Sequence, residues 1–192
     1  MNISVKMDTR ELKAKLKKQR EEIPFATALA LTKTAQDMQF DIIKETKKRF
    51  TIRKTWLEKG KYAVRITPAN KRTLTAKVWN DAPWMQSFER GELRKPKRES
   101  FAVPTDQVKR NKRDIITRSN RPKQLTRSFK IRTRQGNEIL LIRRGKKVVK
   151  YVYSLIKSAK INPQWKFVET GTRSARKNWQ KNINIALTKV LR

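Results

Sequence analysis

Cysteine and histidine are both absent from this chain of 192 residues. Their absence removes thiolate nucleophiles, disulfides, zinc sites of the usual Cys/His kind and imidazole acid–base catalysis. Glycine is scarce, at five residues, and neither GxxxxGKS/T nor GxGxxG can be found. The sixteen carboxylates are scattered, adjacent only at Glu21-Glu22, and form no DxD. Carboxylates with magnesium, or Ser, Tyr and Lys, are all that remains for catalysis, so the chain reads as a non-enzyme without a cofactor. No stretch approaches the roughly 20 apolar residues that span a bilayer. The opening MNISVKMDTR has no apolar core of the secretory kind. The expectation is a protein that avoids membranes and is made and used in a cytoplasm.

Positive charge is what the sequence has in excess. Fifty Lys and Arg stand against sixteen Asp and Glu, a formal net charge of +34. Such self-repulsion suits a protein held against a polyanion, because each neutralised phosphate releases a condensed counterion. The densest stretch runs from Arg90 to Arg134, with sixteen Lys or Arg and only Glu92, Glu99, Asp106 and Asp114 to relieve them. The charged fraction of 34% exceeds the globular norm of about a quarter, so part of the chain is expected to order only in a complex.

Asp8 reads as an N-cap with Glu11 at the capping-box position, opening a short surface helix over 9–22 with Leu12 and Leu16 on a thin apolar stripe. Pro24 restarts the chain. From Phe25 to about Lys48, Ala28, Leu29, Leu31, Ala35, Met38, Ile42 and Ile43 recur at helical spacing. Residues 50–57 predict a turn and a short helix closed by Gly60. Alternation at Tyr62, Val64, Ile66 and at Leu74, Ala76, Val78, around the turn Pro68-Ala69-Asn70, predicts two strands.

Residues 81–123 read as irregular, broken by the apolar Phe101-Ala102-Val103-Pro104. Strands at 129–132, 138–142 and 148–156 follow, joined by turns at Gln135-Gly136-Asn137 and Arg143-Arg144-Gly145-Lys146. Trp179, Ile183, Leu187 and Val190 then mark an amphipathic helix over 173–191. The order predicts one α+β domain over 1–192, in which a long N-terminal helix and a C-terminal helix pack on an antiparallel sheet, with 81–123 as a basic loop insertion.

Arg94, Lys95, Lys97, Arg98, Lys109, Arg110, Lys112, Arg113, Arg118, Arg121 and Lys123 are the candidate contacts to nucleic acid or to a neighbouring subunit. The plain reading of the tract is a solvated surface loop. The functional one is a lining that faces DNA or an acidic neighbour. Trp84, Phe88 and Phe101 sit at its start and are not interleaved with the cations as a single-strand stacking platform requires. That favours backbone contact or protein docking over base readout. Trp84, Phe88, Trp165, Glu169, Arg173 and Trp179 are the subunit-interface candidates; Trp79, Trp84, Trp165 and Trp179 read as core or interface anchors. Within Glu169-Thr170-Gly171-Thr172-Arg173 the plain reading is a helix start, with Thr172 capping and Gly171 supplying a permissive dihedral.

The pieces, in their order, resemble the tail-completion and neck proteins of tailed bacteriophages, most closely the minor tail protein Z family. The matching points are the alanine-rich helix from Pro24-Phe25 through Ala35, then Glu45-Thr46-Lys47 and Ile52-Arg53-Lys54. Further on come the run from Tyr151 to Ile161 and Phe167-Val168-Glu169-Thr170-Gly171-Thr172, similar to that family's (F/V)E-x-GT signature. The basic loop from Arg94 to Arg121 departs from the small, Gly-rich loops common there. The resemblance implies a structural virion protein at the head–tail junction, assembled in a bacterial cytoplasm. It implies a homo-oligomeric ring of six or twelve copies. The implied partners are other neck, portal or tail-tube proteins and packaged double-stranded DNA. A free, non-specific nucleic-acid-binding protein is the alternative, and a magnesium-dependent nuclease the third reading, which lacks its carboxylate cluster.

Overall fold

A computed structural model describes residues 10–190 except 98, 146 and 147. The fold is α+β, with a long N-terminal helix, a C-terminal helix and antiparallel sheets. It divides into two compact units. One comprises the chain up to Ala82 together with Trp165 onward, and the other is Pro83–Gln164.

In the first unit, helix α1 (Arg10–Arg49) runs without interruption. The break expected at Pro24 is absent. A proline inside a helix removes a single backbone donor, and the released carbonyl belongs to Arg20, an exposed residue that water reaches. Asp8 lies outside the described residues, as do the side chains of Glu11, Leu12 and Leu16. The predicted short helix after Phe50 contracts to a 3-10 turn at Thr55–Leu57. Strands β1 (Arg65–Thr67) and β2 (Lys77–Trp79) pair antiparallel, with Ile66 opposite Val78. Their connection is held by Asn70, whose Oδ1 accepts from the backbone N–H groups of Arg72 and Thr73.

Residues 81–123, all but the first two of them in the second unit, are regular in part. They contain helix α2 (Gln86–Arg90) and strands β3 (Glu92–Arg94) and β4 (Phe101–Pro104). Beyond them come β5 (Ser128–Arg132), β6 (Glu138–Arg144), β7 (Val148–Ile156) and β8 (Ala159–Ile161). A four-stranded antiparallel sheet has the order β4-β7-β6-β5, and β3 pairs with β8 as a separate ribbon. Gly91 follows α2 at φ 75°, where a Cβ would sit 3.0 Å from Pro163 Cδ, so only glycine fits that turn.

The last helix, α3 (Phe167–Val190), starts six residues before the predicted position. Its first turns contain Thr170 and Gly171, both buried. Thr172 lies inside the helix rather than capping it, and Gly171 has no unusual dihedral. It lets α3 approach α1, since a Cβ there would meet Met38 Cε at 3.3 Å and Ile42 Cδ1 at 3.4 Å. The helices run antiparallel, and small residues line the contact: Ala26 and Ala30 with Ala186, and Thr34 with Asn182. The predicted stripe of Trp179, Ile183, Leu187 and Val190 packs on that alanine cluster. A second core joins Ile42, Leu57 and Val64, each about 1% exposed. Burying side chains of this size contributes about 1.5–3 kcal/mol apiece.

Polar groups are threaded through the helix pair. Asn182 Nδ2 donates to Asp37 at 2.8 Å and to Thr34 at 3.1 Å, and Ser174 Oγ donates to Asp41 at 2.6 Å. These pairs set the register that alanines alone would leave free to slide. On the opposite side of α1, Gln39 donates to the Val64 carbonyl at 2.6 Å, and the Ala69 N–H donates to Thr32 Oγ1 at 3.0 Å.

Candidate nucleic-acid interface

Cations cannot pack a core, so a tract this basic needs a few apolar anchors to hold it. Residues 105–127 have three. Val108 is buried with Leu140, Val152 and Tyr153, and Ile116 and Leu125 pack on the same cluster. Leu140, Ile142, Ala102 and Tyr153 all fall on one face of the four-stranded sheet, because Leu140 is opposite Tyr153 and Ala102 opposite Leu155. The basic segment therefore lies over that face. A bulge between Leu140 and Leu141 turns Val152 inward to join the cluster.

Hydrogen bonds complete the attachment. Thr105 Oγ1 donates to the carbonyl of Tyr151 at 2.8 Å, and its N–H donates to Val152 at 2.9 Å. Tyr153, 1% exposed, donates its hydroxyl to the Asn120 carbonyl at 2.6 Å. Burial pushes this hydroxyl above the usual tyrosine pKa, opposed in part by the charge of Arg110. Between these ties, Asn111 accepts from the N–H groups of Arg113 and Ile115, both at 3.0 Å. Asp114 takes a left-handed conformation at φ 57° to close that turn. Two 3-10 turns, Arg118–Asn120 and Pro122–Gln124, carry the chain back toward β5.

The anchors face inward and the cations outward. Lys109, Arg110, Lys112, Arg113, Arg118, Arg121 and Lys123 are all exposed. Arg110 makes an ion pair with Asp114 at 3.3 Å, and exposed pairs of this kind contribute little to stability. Arg94, Lys95 and Lys97 are exposed at and after β3, while Arg98 lies outside the described residues. Two further cations escaped the sequence reading because they lie beyond the basic tract in sequence. Arg144 of β6 and Lys150 of β7 line a cavity of about 20 Å³ together with Lys109, Asn120 and Tyr153. The predicted turn at Arg143-Arg144 is the end of β6; Lys146 lies outside the described residues. A broader groove beside it places Lys123 and Lys130 over Ala102, Leu140 and Leu155. Its rim carries an ion pair from Lys130 to Glu99 at 3.0 Å. That hydrogen bond holds the Glu99 carboxyl below, and the Lys130 ammonium above, their ordinary pKa values.

The aromatic candidates separate. Trp84 and Phe88 are half-buried at α2, where the Gln164 N–H donates to the Phe88 carbonyl at 2.7 Å. Trp165 is used inside the first unit: it is buried, with its ring 4.7 Å from that of Phe167. Trp179 is half-buried on the alanine cluster. Glu169 is exposed and pairs with Lys166 at 3.2 Å. Arg173 is exposed beside a groove of α1 and α3 that also holds Lys44, Lys48 and Lys177.

Among the described residues there is no group of three or more His, Cys, Asp or Glu able to hold a metal ion. No described helix is long and apolar enough to cross a membrane. The arrangement suits contact with a polyanion, since exposed cations stand on a surface pinned by Val108, Ile116, Leu125 and Tyr153. No curated protein and no solved structure matches the chain. The model of the family of unknown function DUF6441 matches residues 1–177, which is most of its length, and the chain belongs to that family.

Proposed function

We propose that the chain is a non-enzymatic structural protein of a tailed bacteriophage particle, a tail-completion or neck component at the head–tail junction, whose basic surface meets duplex DNA. The observation that carries the proposal is the anchoring of the seven exposed cations between Lys109 and Lys123. They stand on a segment tied to a sheet by three apolar side chains and the Tyr153 hydroxyl. Holding the backbone of that segment in place before contact lowers the entropy that binding must overcome. Phosphate contacts from Lys and Arg position a protein on a duplex without reading its sequence, as a channel protein requires. The ordered resemblance to the minor tail protein Z family supplies the setting, and a net charge of +34 per chain supplies the attraction.

The test is the size and company of the full-length protein in high salt, where charge-driven aggregation is screened. A closed ring by light scattering, or co-purification with portal or tail-tube proteins, supports the proposal. A monomer that binds duplex with a steep salt dependence and keeps no structural partner contradicts it, and points to a free nucleic-acid-binding protein instead.

A further inference from the structure

Side chains of a strand alternate between faces, so Arg144 follows Leu140 and Ile142 of β6 onto the face under the segment 105–127. The register sets Lys150 of β7 directly across from Ile142, on that same face. The apolar row of the sheet thus continues as cations. Lys109 of the covering segment joins them at one cavity of about 20 Å³, walled by the buried Tyr153 and by Asn120. Three positive charges come together from three parts of the chain, and Lys150 is half-buried. No Asp or Glu lines the cavity, and none of the three cations has an ion pair among the described residues. The neighbouring acids are used elsewhere, Glu99 on Lys130 and Asp114 on Arg110. Cations gathered without a counter-charge cost stability, and departures of this kind from core patterning mark functional sites.

The size of the cavity and the charges around it decide what fits. A space of about 10–15 Å³ holds one water-sized atom, so this cavity admits an oxygen and excludes a base, a sugar or an aromatic ring. The two oxygens of a carboxylate lie in one plane. The tetrahedral oxygens of a phosphate diverge, so one enters while others meet Lys109 and Arg144, both exposed at the mouth. The arginine fork matches phosphate oxygens, and an ammonium serves them as a point charge. We infer that the cavity is a seat for a single phosphate group, held by Lys109, Arg144 and Lys150. A nucleic-acid backbone and a small free phosphate compound present the same oxygens. The seat rests on the cavity and its charges, and stands whether or not duplex DNA supplies the phosphate.

Full-length protein with labelled Lys and Arg side chains, titrated with inorganic phosphate at constant ionic strength and followed by NMR, tests it. The Lys109, Arg144 and Lys150 signals should follow one saturating curve, which Arg113 and Arg118 do not share and acetate does not reproduce. K150Q should raise the phosphate Kd about tenfold through loss of one charge-assisted hydrogen bond, while K150R stays within about threefold. R144Q, at an exposed position, should weaken binding similarly without touching a half-buried side chain. A uniform drift of all the cations, an equal response to acetate, or an unchanged Kd in either K150Q or R144Q overturns the inference. A short DNA duplex then replaces the phosphate. If the same three signals move, and K150Q lowers duplex affinity more than K157Q does, the backbone supplies the group. If the duplex leaves those signals in place, the seat takes a free phosphate compound. A protein that binds phosphate there but no duplex contradicts the DNA reading and leaves the seat standing.

Discussion

The indole Nε1 of Trp165 donates a hydrogen bond of 2.9 Å to the buried hydroxyl of Thr46, joining the chain two residues before α3 to the last turns of α1. Thr46 in turn donates to the Ile42 carbonyl at 2.7 Å. With Ser174 on Asp41 and Asn182 on Thr34 and Asp37, the contact is a ladder along the antiparallel pair. Thr46→Val keeps the volume but leaves the indole N–H buried without an acceptor, at a cost of about 1–3 kcal/mol. Trp165→Phe with Thr46→Val removes both partners, so the double variant should lose less than the sum of the singles. Urea midpoints of the four proteins measure the coupling.

Gly171 separates two opposing effects. Alanine gains up to about 1 kcal/mol of helix propensity over glycine. Its Cβ would crowd Met38 Cε, the end of a flexible side chain, and Ile42 Cδ1. Gly171→Ala is therefore expected within about 1 kcal/mol of the parent. Gly171→Val adds a Cβ and two methyls to a closed contact and should cost about 1–3 kcal/mol. Thermal melts of both variants decide the comparison, and equal melting temperatures would remove the close-approach argument.

Tyr153 ties pH to stability. Burial raises its pKa in the folded state, while the unfolded chain titrates near the ordinary value of about 10. Above that value the unfolded state loses the proton first. The stability contributed by Tyr153 is complete below about pH 10 and declines as pH rises through the folded pKa. Tyr153→Phe should abolish that decline while costing about 1 kcal/mol at neutral pH, where the Asn120 carbonyl loses its donor. Denaturation at neutral pH and again above pH 10 reads both effects.

Stability should be indifferent to the exposed arginines. Replacing Arg110, Arg113, Arg118 and Arg121 by Ser touches no buried residue and removes one exposed ion pair. The expected change is within about 0.5 kcal/mol per site. A large loss in a urea titration would mean that the segment depends on its cations as well as on its apolar anchors.

How much of this was legible follows from range. The C-terminal stripe from Trp179 to Val190 and the strands β5, β6 and β7 carry their period within a few residues, and sequence reading placed them nearly as they are. Segment 81–123 looked irregular because its order comes from elsewhere: Phe101–Pro104 becomes a strand only by pairing with β7. Val108, Ile116 and Leu125 are too sparse for any periodicity, and they matter only because Leu140 and Tyr153 lie beneath them. Gly171 looked like a dihedral requirement, since nothing local reveals that Met38 and Ile42 press against it. Arg144, read as part of a turn, and Lys150, read as part of a strand, lie beyond the basic tract in sequence, and only the fold brings them beside Lys109. Side chains that act locally could be read; those that act across the chain could not.

The most direct measurement of the central claim is duplex DNA affinity over a range of salt concentrations, for the parent and for the protein with Arg110, Arg113, Arg118 and Arg121 replaced by Ser. Each neutralised phosphate contributes about −0.9 to the slope of log K against log salt. If the segment faces the duplex, the variant's slope should be shallower by about 3 to 4, uniformly across DNA sequences. An unchanged slope and affinity would contradict the account, and would assign the excess charge to another surface of the chain.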